Sequence, residues 1–238
     1  MPPTHLILEI RERLRSLGRA KVRISLERFF TPEQRQDSYG VAAPDVKRFA
    51  HQIYRQIKSW PVRDRDRLSA ALWESGMSEE GSLVCYVYRR FAKSCGAREF
   101  GMFARWLDRY VHNWGHTDGV SLWLLAASIS NDPALIARLD GWTRSKNRWK
   151  RRAAAVALVP SARRGLHTKE IFRVVAPLIP DPDDLVQKGA GWLLKETYPK
   201  APAATVRFLL PWRETAPRLV LRYAAEKMTA TDRARILG

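Results

Sequence analysis

Apolar residues recur along this chain at helical spacing, and no stretch alternates as a half-buried strand would. Phe100, Phe103, Leu107, Tyr110, Val111 and Trp114 follow an i, i+3, i+7, i+10, i+11, i+14 stripe, one face of an amphipathic helix. Val186, Ala190, Leu193 and Leu194 make a second stripe, and Trp149, Ala153 and Val156 a third. Breaks fall at Thr31-Pro32, Ala43-Pro44, Trp60-Pro61, Asn131-Asp132-Pro133, Pro180-Asp181-Pro182 and Ala216-Pro217. Several pair a capping side chain with a proline suited to a first helical turn. The pattern predicts about a dozen helices joined by short loops. Such helices stack as antiparallel pairs, and many stacked pairs make an α-superhelix. The expected fold is therefore all-α, one domain over 1–238, with a generic helical bundle as the alternative.

Composition narrows the class. A chain of 238 residues, 45% of them hydrophobic, buries roughly 70% of its unfolded surface and needs neither disulfide nor metal to hold a core. Cys85 and Cys95 stand outside any CxxC pattern and read as small core residues of a reducing compartment. The N-terminal segment has no apolar run of signal length, and no stretch approaches a membrane span, so the expected location is the cytoplasm. Charge changes the picture most. There are 42 Lys and Arg against 24 Asp and Glu, a net of +18. A field of that sign gathers polyanions, and the predominance of arginine suits bidentate phosphate contacts. Nucleic acid is the expected partner, not a membrane surface.

Three segments could carry chemistry. In Tyr110-Val-His-Asn-Trp-Gly-His-Thr-Asp118, helical spacing would set Trp114 and Asp118 on one face; the glycines suggest instead a helix–helix junction exposing both. A plainer alternative makes Asp118 the cap of the apolar helix that follows. His112 and His116, with Asp118, offer a weak metal pattern that lacks the glutamate expected of an HExxH site. In Arg144-Ser-Lys-Asn-Arg148-Trp-Lys-Arg151-Arg152, a helix would gather Arg144, Arg148, Arg151 and Arg152 in one sector. Four guanidiniums there would repel one another unless an anion such as a phosphate met them; a merely solvated basic face is the alternative. In the third segment Trp192 points away from its helix's apolar stripe, between Lys188 and Lys195. It could stack against a nucleic acid or be covered by a second layer of helices.

With these segments in order, the chain resembles the AlkD family of bacterial DNA glycosylases. The likeness runs from Ser38-Tyr-Gly-Val-Ala-Ala-Pro-Asp45 to Gly191-Trp-Leu-Leu-Lys195. It is carried by Trp114-x-x-x-Asp118, Trp149-Lys-Arg151-Arg152 and Gln187-Lys-Gly-Ala-Gly-Trp192. The resemblance implies a right-handed α-α superhelix of HEAT-like antiparallel helix pairs. It implies Asp118 as the catalytic carboxylate, Trp114 and Trp192 as aromatic walls around the damaged nucleotide, and Arg151 as a nearby catalytic or backbone contact. Arg144, Arg148, Arg152, Lys188 and Lys195 become candidate DNA contacts. An aromatic contact is also implied near the N-terminus, at Phe29 or Phe30. Gly115 and His116 depart from the usual interval between the tryptophan and the aspartate.

The implied chemistry is coherent. Alkylation at N3 or N7 leaves a purine cationic and a good leaving group, so cleavage builds oxocarbenium character on the sugar. A carboxylate stabilises that cation and orients water, as in glycoside hydrolysis, and indole faces attract cations. The expected activity is release of 3-methyladenine- or 7-methylguanine-type bases from double-stranded DNA by a monomer, with no cofactor, no metal and no strand nicking. The competing reading is a non-catalytic protein that recognises bent, branched or damaged DNA by shape. A helical scaffold for other proteins accounts poorly for the net charge.

Overall fold

The structure, a computed structural model, describes residues 3–238, with the side chains of Pro3 and Leu26 left aside. Among the described residues every regular element is helical and no strand occurs. No helix is long and apolar enough to cross a membrane. Contacts group the chain into two compact units, neither continuous in sequence. The first runs to Lys93 and adds Arg109–Gly119; the second comprises Ser94–Asp108 and Val120–Gly238.

In the first unit, α1 (Pro3–Leu17) packs on α4 (Val62–Glu74), and α3 (Ala43–Ile57) packs on α5 (Ser78–Tyr88). The reason is legible in α3: Val46, Phe49, Ala50, Ile53 and Ile57 are all buried, a stripe at three- and four-residue spacing. Pro44 lies in its first turn, where a missing N–H costs nothing. By contrast α2 (Ala20–Phe29) has no buried side chain among those described.

Two buried glutamates at the start of α5 lock the irregular segment before α3. Glu79 accepts hydrogen bonds from Ser38 Oγ and from the backbone N–H groups of Tyr39, Gly40 and Val41, at 2.7 to 3.1 Å. Glu80, fully buried, meets Arg11 at 3.2 Å and the Tyr39 hydroxyl at 2.6 Å. A buried carboxylate without such donors would cost several kcal/mol. Gly40 takes a left-handed φ of 82°, and a β-carbon on Gly18 would lie 2.3 Å from the Tyr39 carbonyl oxygen. Both positions need glycine.

The second unit begins with α6 (Ala97–Arg109), whose last residue already belongs to the first. It buries Phe100, Met102, Phe103, Trp106 and Leu107. The helix ends at Arg109, so Tyr110, Val111 and Trp114 lie beyond it, and the long stripe read from the sequence is shorter by those three. Trp114 instead opens the short helix α7 (Trp114–Gly119), part of the first unit. A π-helical turn, Val120–Leu125, leads into α8 (Ala126–Asn131). There follow α9 (Leu139–Trp142), α10 (Arg148–Val156), α11 (Val159–Arg163), α12 (Thr168–Val175), α13 (Asp184–Thr197), α14 (Pro202–Leu209), α15 (Arg218–Ala224) and α16 (Ala230–Leu237). The stripe of Val186, Ala190, Leu193 and Leu194 is wholly buried, as its spacing predicts. In this unit α13 is the hub, packed on α10 and α15. A β-carbon on Gly191 would sit 2.5 Å from the Tyr223 β-carbon and 2.9 Å from the Val220 carbonyl oxygen. The glycine is what lets α15 approach so closely.

Candidate active site

In the first unit, Asn113 builds α7. Its Oδ1 accepts the His116 backbone N–H at 2.8 Å, while its Nδ2 donates to Gln36 Oε1 at 2.7 Å. An asparagine satisfying an orphan N–H in this way is a favoured N-cap. The cap therefore belongs to Asn113, and Asp118 lies inside the helix, one turn after Trp114. The helical reading of this segment holds, and the capping alternative for Asp118 does not. Both side chains are partly exposed.

Their orientation follows from what lies on the opposite face. His116 is buried against α5, its ring edge-on to Trp73 with centroids 5.2 Å apart. Its Nε2 lies 2.9 Å from the Ser78 carbonyl oxygen and 3.2 Å from Ser82 Oγ. A carbonyl accepts, so Nε2 carries the proton, and Nδ1 is a buried atom without a hydrogen-bond partner. Burial holds this imidazole neutral, with its pKa pulled down to about 4. Gly81 permits the contact: a β-carbon there would meet Trp73 at 2.5 Å and His116 at 2.9 Å. His112 is exposed, so the HxxxH pair is divided between surface and core. Among the described residues no group of three His, Cys, Asp or Glu side chains is placed to hold a metal.

Phe29 and Phe30 both pack on Trp114, with ring centroids 5.3 and 5.7 Å from it. Phe29 is 62% exposed. Both candidates for the aromatic contact expected near the N-terminus thus lie beside Trp114. Behind Phe30 and Asn113 lies a cavity of about 320 Å³.

In the second unit, α10 begins at Arg148, because Asn147 Oδ1 accepts the Trp149 N–H at 2.9 Å. Arg144 lies in the exposed loop before it, so the four arginines do not share one helical face. Nor do Arg148, Arg151 and Arg152 await an outside anion. Arg151 forms a forked pair with Asp181, Nε–Oδ2 at 2.6 Å and Nη2–Oδ1 at 3.2 Å, and also donates to the Ser145 carbonyl at 2.9 Å. Arg148 Nε lies 2.6 Å from Asp183 Oδ2, but its N–H is not aligned for a hydrogen bond; the attraction there is between charges. Arg152 is buried, its Nη1 donating to the Leu185 carbonyl. The argument from mutual repulsion therefore fails, since carboxylates and a carbonyl of the protein answer these cations.

Trp192 is partly exposed on α13, so neither full solvation nor full coverage describes it. Its Nε1–H donates to Glu196 Oε1 at 3.3 Å, and the Arg163 guanidinium lies 6.0 Å from its ring centroid. Burial opposes ionisation of Glu196, yet hydrogen bonds and charge from Arg163 and Lys227 prevail and lower its pKa to about 2. Lys195 pairs with Glu226 at 2.7 Å, and Lys188 is partly exposed. Asp181, Asp183 and Glu196 went unnoticed as partners in the sequence. The Asp-rich break at 180–184 announced a cap, and Asp183 does cap α13, but nothing linked it to arginines three helices earlier.

A family model for DNA alkylation repair enzymes matches residues 10–228. The chain belongs to the DNA alkylation repair enzyme family. Members of that family act on DNA, which identifies the partner expected from the charge. Three solved structures share the fold. A predicted DNA alkylation repair enzyme from Enterococcus faecalis is 12% identical over 90% of this chain and 97% of its own, with a TM-score of 0.79. AlkD2 from Streptococcus mutans is 18% identical over 79% and 91%, with a TM-score of 0.62. The protein smu.31 from Streptococcus mutans UA159 is 17% identical over 77% and 100%, with a TM-score of 0.59. No curated protein matches the sequence. At such identities the likeness speaks to the all-helical fold, not to individual residues of this repair-family member.

Proposed function

We propose that the protein is a monofunctional DNA glycosylase that hydrolyses the N-glycosidic bond of cationic alkylated purines in duplex DNA. One observation carries the reading beyond family membership: Trp114 and Asp118 stand one turn apart with their side chains partly open, on a helix whose opposite face is anchored through His116. A carboxylate held in that way can stabilise a sugar becoming cationic and orient the attacking water. The indole, backed by Phe29 and Phe30, offers its π-face to a cationic base. Because the lesion is already a good leaving group, no separate general acid is required. Arg151 and Trp192 are assigned to the same reaction, and Arg144, Arg148, Arg152, Lys188 and Lys195 to the phosphate backbone. In this reading one monomer presents a HEAT-like superhelix to DNA in the cytoplasm.

The test is base release from 7-methylguanine DNA by wild type and Asp118→Asn, which preserves shape and removes charge. Loss of one preorganised electrostatic contact lowers a rate by about 10²- to 10³-fold. Equal rates would overturn the role of Asp118. Tight binding of branched DNA with no release by wild type would favour the shape-recognition alternative instead.

A further inference from the structure

A closed circuit of hydrogen bonds fastens α7 to the segment before α3. The Asp37 carbonyl oxygen accepts the Ser78 N–H at 2.8 Å. The Ser78 carbonyl in turn accepts from His116 Nε2 at 2.9 Å. From His116 the circuit returns through Asn113, whose Oδ1 accepts the His116 backbone N–H at 2.8 Å and whose Nδ2 donates to Gln36 Oε1 at 2.7 Å. Gln36 adjoins Asp37, and the circuit is complete. Its polarity is fixed. A backbone N–H only donates, so Asn113 must turn its oxygen to His116 and its NH2 to Gln36. Gln36 must therefore present an acceptor. Asn113 is 2% exposed, and a buried donor left unmet is costly. Were a donor to stand at position 36, the Asn113 amide would be driven to turn over, setting Nδ2 against the His116 N–H.

Helix α7 depends on that orientation. It has only 6 residues, too few to persist on its own hydrogen bonds, and its first N–H groups need a cap. It also carries Trp114 at its start and Asp118 four residues on. Misplacing a reacting group by roughly 1 Å can cost about 10²-fold in rate. We propose that Gln36 is a positioning residue for base release: it holds the Asn113 amide in the one orientation that caps α7, and thereby sets Trp114 and Asp118. It acts through Asn113 and not on the substrate. The effect on rate rests on the glycosylase reading; the effect on the cap does not.

Three full-length variants separate acceptor from donor: Gln36→Glu keeps acceptors at the same reach, Gln36→Lys offers donors alone, and Gln36→Leu offers neither. Hydrogen exchange of the His116 amide, followed by NMR, reads the cap directly. It should be as slow in Gln36→Glu as in wild type, and about tenfold faster in the other two. Single-turnover release of 7-methylguanine from duplex DNA at saturating protein reads the chemistry. The rate should fall about 10- to 100-fold in Gln36→Lys and Gln36→Leu, with affinity for the duplex unchanged in Gln36→Leu, and Gln36→Glu should restore it. Exchange and rate equal in all four proteins overturn the proposal, as does faster exchange with no fall in rate. Equal slowing in all three variants overturns it too, since the acceptor would then be irrelevant. Affinity lost in Gln36→Leu at an unchanged single-turnover rate would make Gln36 a DNA contact instead. Wild type that releases no base, with His116 exchange still following the acceptor, would sink the glycosylase reading and leave Gln36 a purely structural tie, ending the proposal with it. Should melting curves show Gln36→Leu poorly folded, Gln36→Lys against Gln36→Glu decides by the same two measurements.

Discussion

The candidate residues of the two units are held by different physics. In the first unit Trp114 and Asp118 owe their placement to packing: an asparagine cap, a neutral histidine in the core and two phenylalanines against the indole. In the second unit Arg148, Arg151 and Trp192 owe theirs to charge, through Asp183, Asp181 and Glu196. Packing is indifferent to salt, whereas a partly exposed ion pair such as Arg148–Asp183 is open to screening by it. If the proposed contacts are right, DNA approaching the second unit would have to share or displace the carboxylates that already neutralise Arg148 and Arg151. Their contribution to affinity would then be smaller than the formal charge suggests.

That contrast can be broken most forcefully at Arg151. Asp181 is 7% exposed, and removing one partner of a largely buried pair costs about 3–5 kcal/mol. Arg151→Ala should lower the melting temperature by on the order of 10 °C, at 2–4 °C per kcal/mol for a chain of this size. Arg151→Lys should fall between, because an ammonium cannot reproduce the fork. A variant melting with wild type would show the pair to be incidental. Calorimetry distinguishes the outcomes.

The packed half is probed through pH. His116 binds its proton only below about pH 4 when folded, but near 6.5 when unfolded. Between those values the unfolded chain holds the extra proton, so stability must fall as pH drops from about 6.5 to about 4. His116→Gln should begin less stable yet lose that slope, as denaturant titrations over this range would reveal. An unchanged slope would mean that the ring is protonated in the fold.

A smaller effect sharpens the comparison. Glu196→Gln keeps an acceptor for the Trp192 indole and removes the charge shared by Arg163 and Lys227. It should cost about 1–2 kcal/mol at neutral pH. The folded pKa of Glu196 lies near 2, below its ordinary value near 4.5, so the stabilisation is complete above that value and fades as pH falls towards 2. Melting curves of the two proteins should therefore converge in acid. A gap that persists at low pH would assign the loss to packing instead.

Helical class, proline breaks and buried stripes were legible because they depend on local spacing. What escaped depended on partners distant in sequence. A helical wheel places Arg144 with Arg148 until Asn147 is known to start the helix between them. Asp181 and Asp183 looked like helix starters, and about thirty residues separate them from the arginines they meet. Phe29 and Phe30 could not be told apart because both touch Trp114. The two-unit grouping left no linker to read, since its boundaries fall between Lys93 and Ser94, between Asp108 and Arg109, and between Gly119 and Val120, in a 3-10 turn, within α6 and at a helix end.

The glycine pinch between Gly18 and Tyr39, closed by the Arg19 N–H on the Gly40 carbonyl at 2.9 Å, makes residues 19–40 a detour that leaves the frame and returns to the same spot. Lengthening such a detour costs little chain entropy, and none of the described side chains of its helix is buried. The stem can thus stay constant while the finger, tipped by two aromatic rings, is exchanged. Because Gln36 holds the Asn113 cap of the helix that carries Asp118, grafts that keep Gln36 and vary only the tip at Phe29 and Phe30 would be a way to change what lies against Trp114.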